Sequence, residues 1–184
     1  MALSNVEIRA EIAAERLIFD PPINDDPDDS RIGSSSVDLL LHERLIVLAQ
    51  DSSPGVIVDP SASGFRVMDF LQKNGRTEII PEHGSYQMAP NELVIARTLE
   101  TLRLPLHLAA RVEGKSSLAR LGLSVHVTAP SVHAGFEGPL YLEMNNIGPF
   151  PILLRRGMAI AQLILEHVGL PASRGYEGQF QRQT

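Results

Sequence analysis

From Val37 onward the chain consists of short runs of apolar and β-branched residues, each broken within a few positions by Pro, Gly, Asn or Asp. The runs are Leu45 to Leu48, Val56 to Val58, Glu92 to Arg97, Leu106 to Val112, Leu140 to Met144 and Ile160 to Glu166. Many short strands with closely spaced turn signals are typical of an all-β sandwich or barrel rather than of repeated βαβ units. The sequence therefore predicts a mainly β fold, with helix confined to the first twenty residues and one or two turns elsewhere.

The N-terminal segment has a helical pattern instead. Ser4 followed by Glu7 fits a capping box, in which each residue satisfies a free backbone N–H of the other. The apolar residues that fall on roughly one helical face are Ile8, Ile12 and Leu17. We therefore predict a helix within residues 1–20, stopped by the prolines that open an exposed acidic loop from Pro21 to Ser30.

Length and composition limit the number of domains. The chain has 184 residues, of which 43% are hydrophobic. One core can be buried at this length and a second is not required, so we expect a single domain over residues 1–184. The sequence has no run of about 18 apolar residues and no basic-then-apolar secretory signal at its start. We therefore expect a soluble, cytoplasmic protein that does not enter a membrane.

Charge and cysteine usage exclude two classes of function. The formal net charge of −6 argues against binding of a nucleic-acid polymer, because such binding depends on a basic surface that neutralises phosphates. A small anionic ligand remains possible where a local basic pocket interrupts the acidic surface. The chain contains no cysteine, which excludes disulfides, thiolate nucleophiles and cysteine-based zinc sites.

The segment Gly114 to Gly122 carries the densest group of phosphate-binding candidates. A glycine turn leads into Ser116 and Ser117 as hydroxyl N-cap candidates, and one helical turn and a glycine stop follow. A helix N-terminus with free N–H groups, close to Lys115 and Arg120, is suited to phosphate oxygens. A capped surface turn with solvated charges is the alternative, and on spacing alone it is the more common structure. The segment is not a P-loop, since the Gly-x-x-x-x-Gly-Lys-Ser/Thr pattern is absent.

Two further strands are predicted after this segment. Ser124 to Pro130 alternates, and His126 within it could contact a ligand, although a lone strand histidine is more often a half-buried polar residue. Glu143 stands between Leu142 and Met144, so alternation points its carboxylate away from them. A buried carboxylate needs a cationic partner or a raised pKa. A structural ion pair with an arginine and a proton-transfer role are therefore both open.

Short motifs of different kinds are distributed along nearly the whole chain. They are Leu3-Ser4, Ser35-Ser36-Val37-Asp38-Leu39, Thr98-Leu99-Glu100, Arg111-Val112-Glu113-Gly114-Lys115-Ser116-Ser117-Leu118-Ala119-Arg120-Leu121-Gly122-Leu123, Thr128-Ala129, Gly135-Phe136-Glu137-Gly138, Leu142-Glu143, Gly157-Met158 and Ala161-Gln162-Leu163. In type and order these motifs resemble the dCTP deaminase branch of the dUTPase-like superfamily. The Gly-Lys-Ser-Ser-Leu-Ala-Arg-Leu-Gly-Leu string combined with the Leu-Glu strand is the most specific part of the resemblance.

The resemblance implies a fold, an assembly and a reaction. It implies a distorted β-barrel assembled as a homotrimer, with each active site built from residues of neighbouring subunits. The implied reaction is the metal-independent hydrolysis of dCTP to dUTP and ammonia in pyrimidine deoxynucleotide synthesis, with Glu143 as general base. Zinc deaminases activate water with a metal held by His and Cys, and a chain without cysteine lacks that route. Ser116 and Arg120 match residues that shape the catalytic pocket and contact the phosphates, with Lys115 and Ser117 beside them.

The resemblance also carries over further nucleotide-binding positions. These are Thr128, Ala129, His133, Gln162, Tyr176 and Gln179. In the family the backbone at Ala129 reads the edge of the pyrimidine. Magnesium is expected to be carried by the substrate triphosphate, which fits the lack of a dedicated metal-ligand motif and of any zinc site. Inhibition by dTTP is likewise implied by the resemblance.

Three positions depart from the family pattern. His133 stands where most members have an aspartate near the deoxyribose, which replaces an acceptor by a possible cation and argues against a dUTPase step. Pro130 follows Ala129, where a bulkier or polar residue is usual. Residues 174–184 match the C-terminal lid that closes over the triphosphate, but Gly175 stands where the lid carries a lysine before Tyr176.

Two alternatives to the deaminase remain. One is a related nucleotide hydrolase with a different substrate, including an enzyme that both deaminates dCTP and cleaves its triphosphate. The other is a nucleotide-binding trimer that has lost turnover and acts as a sensor or regulator. Retention of Glu143 favours the deaminase, because a chain without turnover is expected to lose its general base.

Overall fold

The computed structural model describes residues 1–23, 31–48 and 55–181, and it is mainly β with few helices. Its helices are α1 (Asn5–Ala13), α2 (Val67–Asn74) and α3 (Ser116–Ala119). Its strands are β1 (Ile18–Asp20), β2 (Val37–Leu40), β3 (Arg44–Leu48), β4 (Arg76–Ile79), β5 (Tyr86–Met88), β6 (Leu93–Arg103), β7 (Leu108–Gly114), β8 (Leu123–Ser124), β9 (Ser131–Val132), β10 (Glu137–Asn146), β11 (Ile152–Leu154) and β12 (Ala159–His167). The mainly β class that the sequence predicts is therefore confirmed.

Antiparallel pairing joins these strands into three sheets. A six-stranded sheet has the order β4-β3-β6-β10-β8, with β1 on the far part of β6, and a four-stranded sheet has the order β2-β12-β7-β9. The third sheet pairs β11 with β5. Within the described ranges no sheet closes on itself through hydrogen bonds, so the implied barrel is not seen as a continuous ring. None of the helices that the structure describes is long and apolar enough to cross a membrane.

The core is built from the inward faces of the two larger sheets. Leu142 and Met144 of β10 and Leu163 and Leu165 of β12 are fully buried, and they belong to one apolar cluster. Burial of each such side chain stabilises the fold by roughly 1.5–3 kcal/mol. Because strand side chains alternate, Glu143 of β10 and Ile164 of β12, which stand between these positions, lie on the opposite faces of the sheets.

The Thr98-Leu99-Glu100 motif forms a bulge in the long strand β6. The pairing of β10 with β6 shifts register there, and the hydroxyl of Thr98 donates to the carbonyl of Glu100 at 2.7 Å and accepts from the Leu140 N–H at 3.0 Å. The buried Glu100 carboxylate accepts from the Leu40 N–H at 3.0 Å and from Arg31 at 2.9 Å. The motif thus ties β2 of one sheet to β6 and β10 of the other.

The N-terminal helix is shorter than the sequence predicts. The capping box between Ser4 and Glu7 is present, but α1 ends at Ala13, and Glu15 then adopts a left-handed conformation with φ of 53°. Leu17 is buried beyond the helix, just before β1, rather than on a helical face. Most of the predicted acidic loop, residues 24–30, lies outside the described residues.

Two other predicted strands are wrong. Val56 to Val58 forms no strand and is exposed to solvent, because these apolar residues find no pairing partner. In Ser124 to Pro130 only Ser124 belongs to a strand, the two-residue β8, and the remainder is irregular chain that leads to β9. The run predicted from Leu106 becomes regular only at Leu108, where β7 begins.

Candidate functional site

A cleft of about 290 Å³ opens beside strand β10. Its walls are formed by β10, by the irregular chain before and after β9, and by the last described residues of the chain. The residues that matter chemically are Ala129, His133, Tyr141, Glu143, Tyr176 and Phe180. Among the residues that the structure describes, Glu143 is the only carboxylate in the lining, and no lysine or arginine joins it there.

Strand alternation delivers Glu143 to this cleft, as the sequence predicts. Leu142 and Met144 are fully buried in the core, whereas Glu143 and Tyr141 are half-buried on the opposite face of β10. A carboxylate held on a strand between two anchored core residues has little freedom to move. The strand therefore gives Glu143 a fixed direction into the cleft.

The surroundings of Glu143 favour proton transfer over a structural ion pair. Burial raises the pKa of its carboxyl, and this effect outweighs the opposing backbone hydrogen bonds from Glu143 and Val127 and the nearby charge of His126. No arginine or lysine within the described ranges pairs with Glu143. A partly desolvated carboxylate with a raised pKa is suited to accept and return a proton near neutral pH.

His126 lies near Glu143 and outside the lining of the cleft. It is half-buried, its Nε2 lies 3.9 Å from a carboxylate oxygen of Glu113, and its buried Nδ1 has no hydrogen-bond partner among the described residues. Its carbonyl accepts from the Ser124 hydroxyl at 2.6 Å, which shapes the irregular chain after β8. His126 is therefore a half-buried polar residue close to the carboxylate of Glu143 and not a wall of the cleft.

The predicted phosphate-binding turn is formed, but its cap differs from the prediction. The N-cap of the single-turn helix α3 is Lys115, without a side-chain cap, and not one of the serines. Ser116, Ser117 and Arg120 are exposed on this turn, and none of them lines the cleft of the same chain. Gly114 and Ala119 of this turn line a separate pocket instead, together with Ser124 and His126.

Lys115 and Gln162 meet at Asp38. The Lys115 ammonium is ion-paired with the Asp38 carboxylate, and the Gln162 amide donates to the same carboxylate at 3.2 Å and lies 3.5 Å from the hydroxyl of Ser36. The Lys115 and Asp38 side chains are only 21% and 18% exposed. Two predicted nucleotide-binding residues thus form one internal polar cluster with the Ser-Val-Asp motif.

The remaining predicted residues divide between the cleft and its surroundings. Ala129 and His133 line the cleft, and exposed Thr128 lies next to Ala129 without lining it. Tyr176 lines the cleft as well, whereas Gln179 lines an adjoining pocket of about 120 Å³ beside α2. The structure therefore brings Glu143, Ala129, His133 and Tyr176 together and leaves the α3 residues apart.

Sequence reasoning did not single out Tyr141, Phe136 or Asp38. Tyr141 is two residues from Glu143 on the same strand, so the alternation that places one predicts the other. Phe136 lies in a recognised motif, and its ring packs at 6.0 Å from that of Tyr176. No local pattern predicts the contact of Asp38 with Lys115, because the two residues are 77 positions apart.

Carboxylates and histidines are the metal ligands that a chain without cysteine can offer. Within the described ranges, no group of three or more His, Asp or Glu side chains could hold a metal ion. The cleft contributes the single carboxylate of Glu143, whereas a protein-held Mg²⁺ site needs several oxygen ligands.

Comparison with known proteins gives a consistent result. A family model described as dCTP deaminase-like matches residues 2–168. The dCTP deaminase of Rhodospirillum rubrum is 35% identical over 176 residues, which cover 96% of this chain and 87% of that protein. The dUMP-forming dCTP deaminase of Beutenbergia cavernae is 38% identical over 176 residues, which cover 96% of this chain and 84% of that protein.

A solved structure agrees with these sequence matches. The crystal structure of a 2′-deoxycytidine 5′-triphosphate deaminase from Agrobacterium tumefaciens matches with a TM-score of 0.68 and 25% identity, over 91% of this chain. The match covers 48% of the Agrobacterium chain, so this chain spans about half of that protein's length. The match of the family model to most of the sequence shows that the chain belongs to the dCTP deaminase-like family.

Proposed function

We propose that this chain is a metal-independent deaminase that hydrolyses dCTP to dUTP and ammonia. The observation that carries the proposal is Glu143, a half-buried carboxylate of raised pKa that is the only carboxylate of the described chain in the cleft. The relatives above are named dCTP deaminases, which points to dCTP as the substrate. Family membership supplies the reaction class, and the cleft supplies a group able to perform it.

Two proton transfers through Glu143 balance the reaction. Its carboxylate takes a proton from a water molecule, whose oxygen forms a bond to C4 of cytosine, and the protonated carboxyl gives this proton to N3 of the base. The carboxylate then takes the proton of the new C4 hydroxyl and passes it to the amino group, so that the C4–N bond breaks, the C4 carbonyl forms and ammonia leaves. The sum is dCTP and water to dUTP and ammonia. A raised pKa suits both steps, since the group must gain and lose a proton near neutral pH.

The exposed residues of α3 are proposed to complete the site from a neighbouring subunit. Ser116, Ser117 and Arg120 are exposed and lie outside the cleft of their own chain, while that cleft has no lysine or arginine in its described lining. A triphosphate needs cationic and N–H donors, and a homotrimer would supply them across each subunit boundary. Magnesium would reach the site on the triphosphate, where it neutralises part of the phosphate charge.

Formation of dUTP is favoured over direct formation of dUMP. Some relatives are named dUMP-forming, so a second hydrolytic step at the triphosphate is the competing activity. That step needs another group to position water, and His133 stands where the family usually has an aspartate. The cleft of the described chain offers no second carboxylate for this role.

Product analysis tests the proposal. The purified protein is incubated with dCTP, CTP, dCMP or dUTP and Mg²⁺, and ammonia and nucleotide products are measured. Conversion of dCTP to equimolar dUTP and ammonia is the expected result. Release of dUMP and pyrophosphate would show the two-step reaction, and binding of dCTP or dTTP without turnover of any of the four would favour the regulator.

A further inference from the structure

The last described residues, 172–181, dock on their own chain at the mouth of the cleft. The Ala172 N–H donates to the carbonyl of Leu106 at 2.9 Å, and the Tyr176 N–H donates to the carbonyl of Ala134 at 3.0 Å. Both acceptors belong to turns that flank the cleft walls. Backbone hydrogen bonds therefore hold this docked tail to its own chain.

The side chain of Gln181 adds a second attachment. Its Nε2 donates to the carbonyl of Gly135 at 3.1 Å, and its Oε1 accepts from the Glu137 N–H at 3.0 Å. One amide thus satisfies a donor and an acceptor at the turn that leads into β10. These two bonds require the tail to follow the turn closely.

Glycines allow this close approach. Gly135 has φ of +76°, and a Cβ there would lie 2.5 Å from the Cα of Gly175, so a side chain at position 135 would block the tail. A Cβ on Gly178 would overlap the hydroxyl group of Tyr176. Gly178 therefore lies directly against the Tyr176 ring and limits where that ring can go.

The ring of Tyr176 fills the space between two aromatic neighbours. It stacks on His133 with a centroid separation of 5.5 Å and an interplanar angle of 10°, and it packs against Phe136 at 6.0 Å and 48°. Stacked and tilted ring pairs contribute beyond their buried area because the positive edge of one ring meets the negative face of another. His133 is an exposed residue, and the stack on Tyr176 is the ring contact that orients it.

We propose that His133 is the positioning residue that clasps the tail over the cleft before a nucleotide binds. A carboxylate at position 133 has no ring face and could not stack on Tyr176. Compared with an aspartate, His133 removes a carboxylate acceptor from the cleft and adds a ring that holds the tail in place. The tail then forms a wall of the cleft through Tyr176 and Phe180. A tail ordered in advance need not be ordered during binding, which removes part of the entropic cost of association.

Hydrogen exchange without nucleotide measures the clasp directly. In His133→Ala and Tyr176→Ala, the tail amides, that of Tyr176 above all, should exchange about threefold to tenfold faster than in the parent chain. In His133→Phe and Tyr176→Phe, which keep a ring at each position, exchange should remain close to that of the parent. Unchanged protection of the β10 and β12 amides in the same samples shows that a variant is folded.

Two results would overturn the clasp. Tail exchange in His133→Ala equal to that of the parent would show that the stack does not hold the tail. Equally fast exchange in His133→Phe and His133→Ala would show that the ring face is not the relevant feature.

A second readout rests on the proposed function. KM for dCTP should rise in His133→Ala by a larger factor than kcat falls. In His133→Phe, KM should return part of the way to the value of the parent chain.

Discussion

The ammonium group of Lys115 is paired with the carboxylate of Asp38, which also accepts from the Gln162 amide at 3.2 Å. Lys115, which the sequence predicts to contact phosphate, therefore has a charged partner within its own chain. Because both charges are mostly buried, loss of either leaves the other poorly compensated. The pair therefore links the start of α3 to strand β2 and holds the turn that carries the serines and Arg120.

The first prediction concerns the stability that this pair provides. Asp38→Asn should lower the free energy of unfolding by roughly 1–3 kcal/mol, since the Lys115 charge then lacks its counterion. The double variant Lys115→Met with Asp38→Asn should be less destabilised than the sum of the two single variants. Urea denaturation of all four chains measures this coupling, and simple additivity would show that the pair contributes nothing.

The second prediction follows from the pKa of Glu143, which burial raises above that of an exposed glutamate. Such a group favours the folded chain while it is protonated, and this contribution is lost as pH rises through the folded-state pKa. Glu143→Gln should therefore be more stable than the parent at about pH 8, and the difference should vanish only below the unfolded-state pKa of about 4.3, where the carboxyl is protonated in the folded and the unfolded chain alike. A variant less stable than the parent at the higher pH would contradict the assigned environment.

The third prediction concerns the tail position where the family has a lysine. Gly175 does not adopt a left-handed conformation, and a Cβ there would lie no closer than 3.4 Å to Gly135, so a side chain is accommodated. Gly175→Lys should tighten dCTP binding by about 1–3 kcal/mol through a charge-assisted phosphate contact. Calorimetry should show no such gain for the neutral control Gly175→Gln. Equal affinities in the two variants would mean that position 175 does not reach the phosphates.

The fourth prediction tests whether subunits share a site. Arg120→Ala and Glu143→Gln should each be nearly inactive, yet co-expression of the two should restore roughly a quarter of the activity through sites with one intact residue from each subunit. The control is an oligomer in which every chain carries both substitutions, because none of its sites can then be intact. No recovery in isolated mixed oligomers would show that Arg120 and Glu143 do not meet in one site across a subunit boundary.

Local sequence patterns predicted the parts of the structure that depend on local geometry. Ser4 and Glu7 form their capping box, and Glu143 faces away from Leu142 and Met144 because alternation is a property of the strand itself. The prediction that Leu17 lies on a helical face is wrong because Glu15 adopts a left-handed conformation just beyond the end of the helix. Glutamate rarely adopts this conformation, so the residue type does not predict it.

Local sequence patterns do not predict contacts between segments that are far apart in the chain. The stack of His133 on Tyr176 and the pairing of Lys115 with Asp38 each depend on how separate strands and loops meet in space. The resemblance named most of these residues but not their internal partners. Membership in a family assigns positions, whereas the three-dimensional contacts show which positions are already occupied by the chain's own side chains.

Ammonia release from dCTP by Glu143→Gln, measured beside the parent chain and beside dCTP binding by both, tests the central claim most directly. The account predicts that the parent releases one ammonia for each dUTP formed. The variant should lose turnover by about 10²- to 10⁴-fold, the usual contribution of a general base, while its affinity for dCTP changes little. Turnover by Glu143→Gln at the rate of the parent would contradict the assignment of Glu143 as general base.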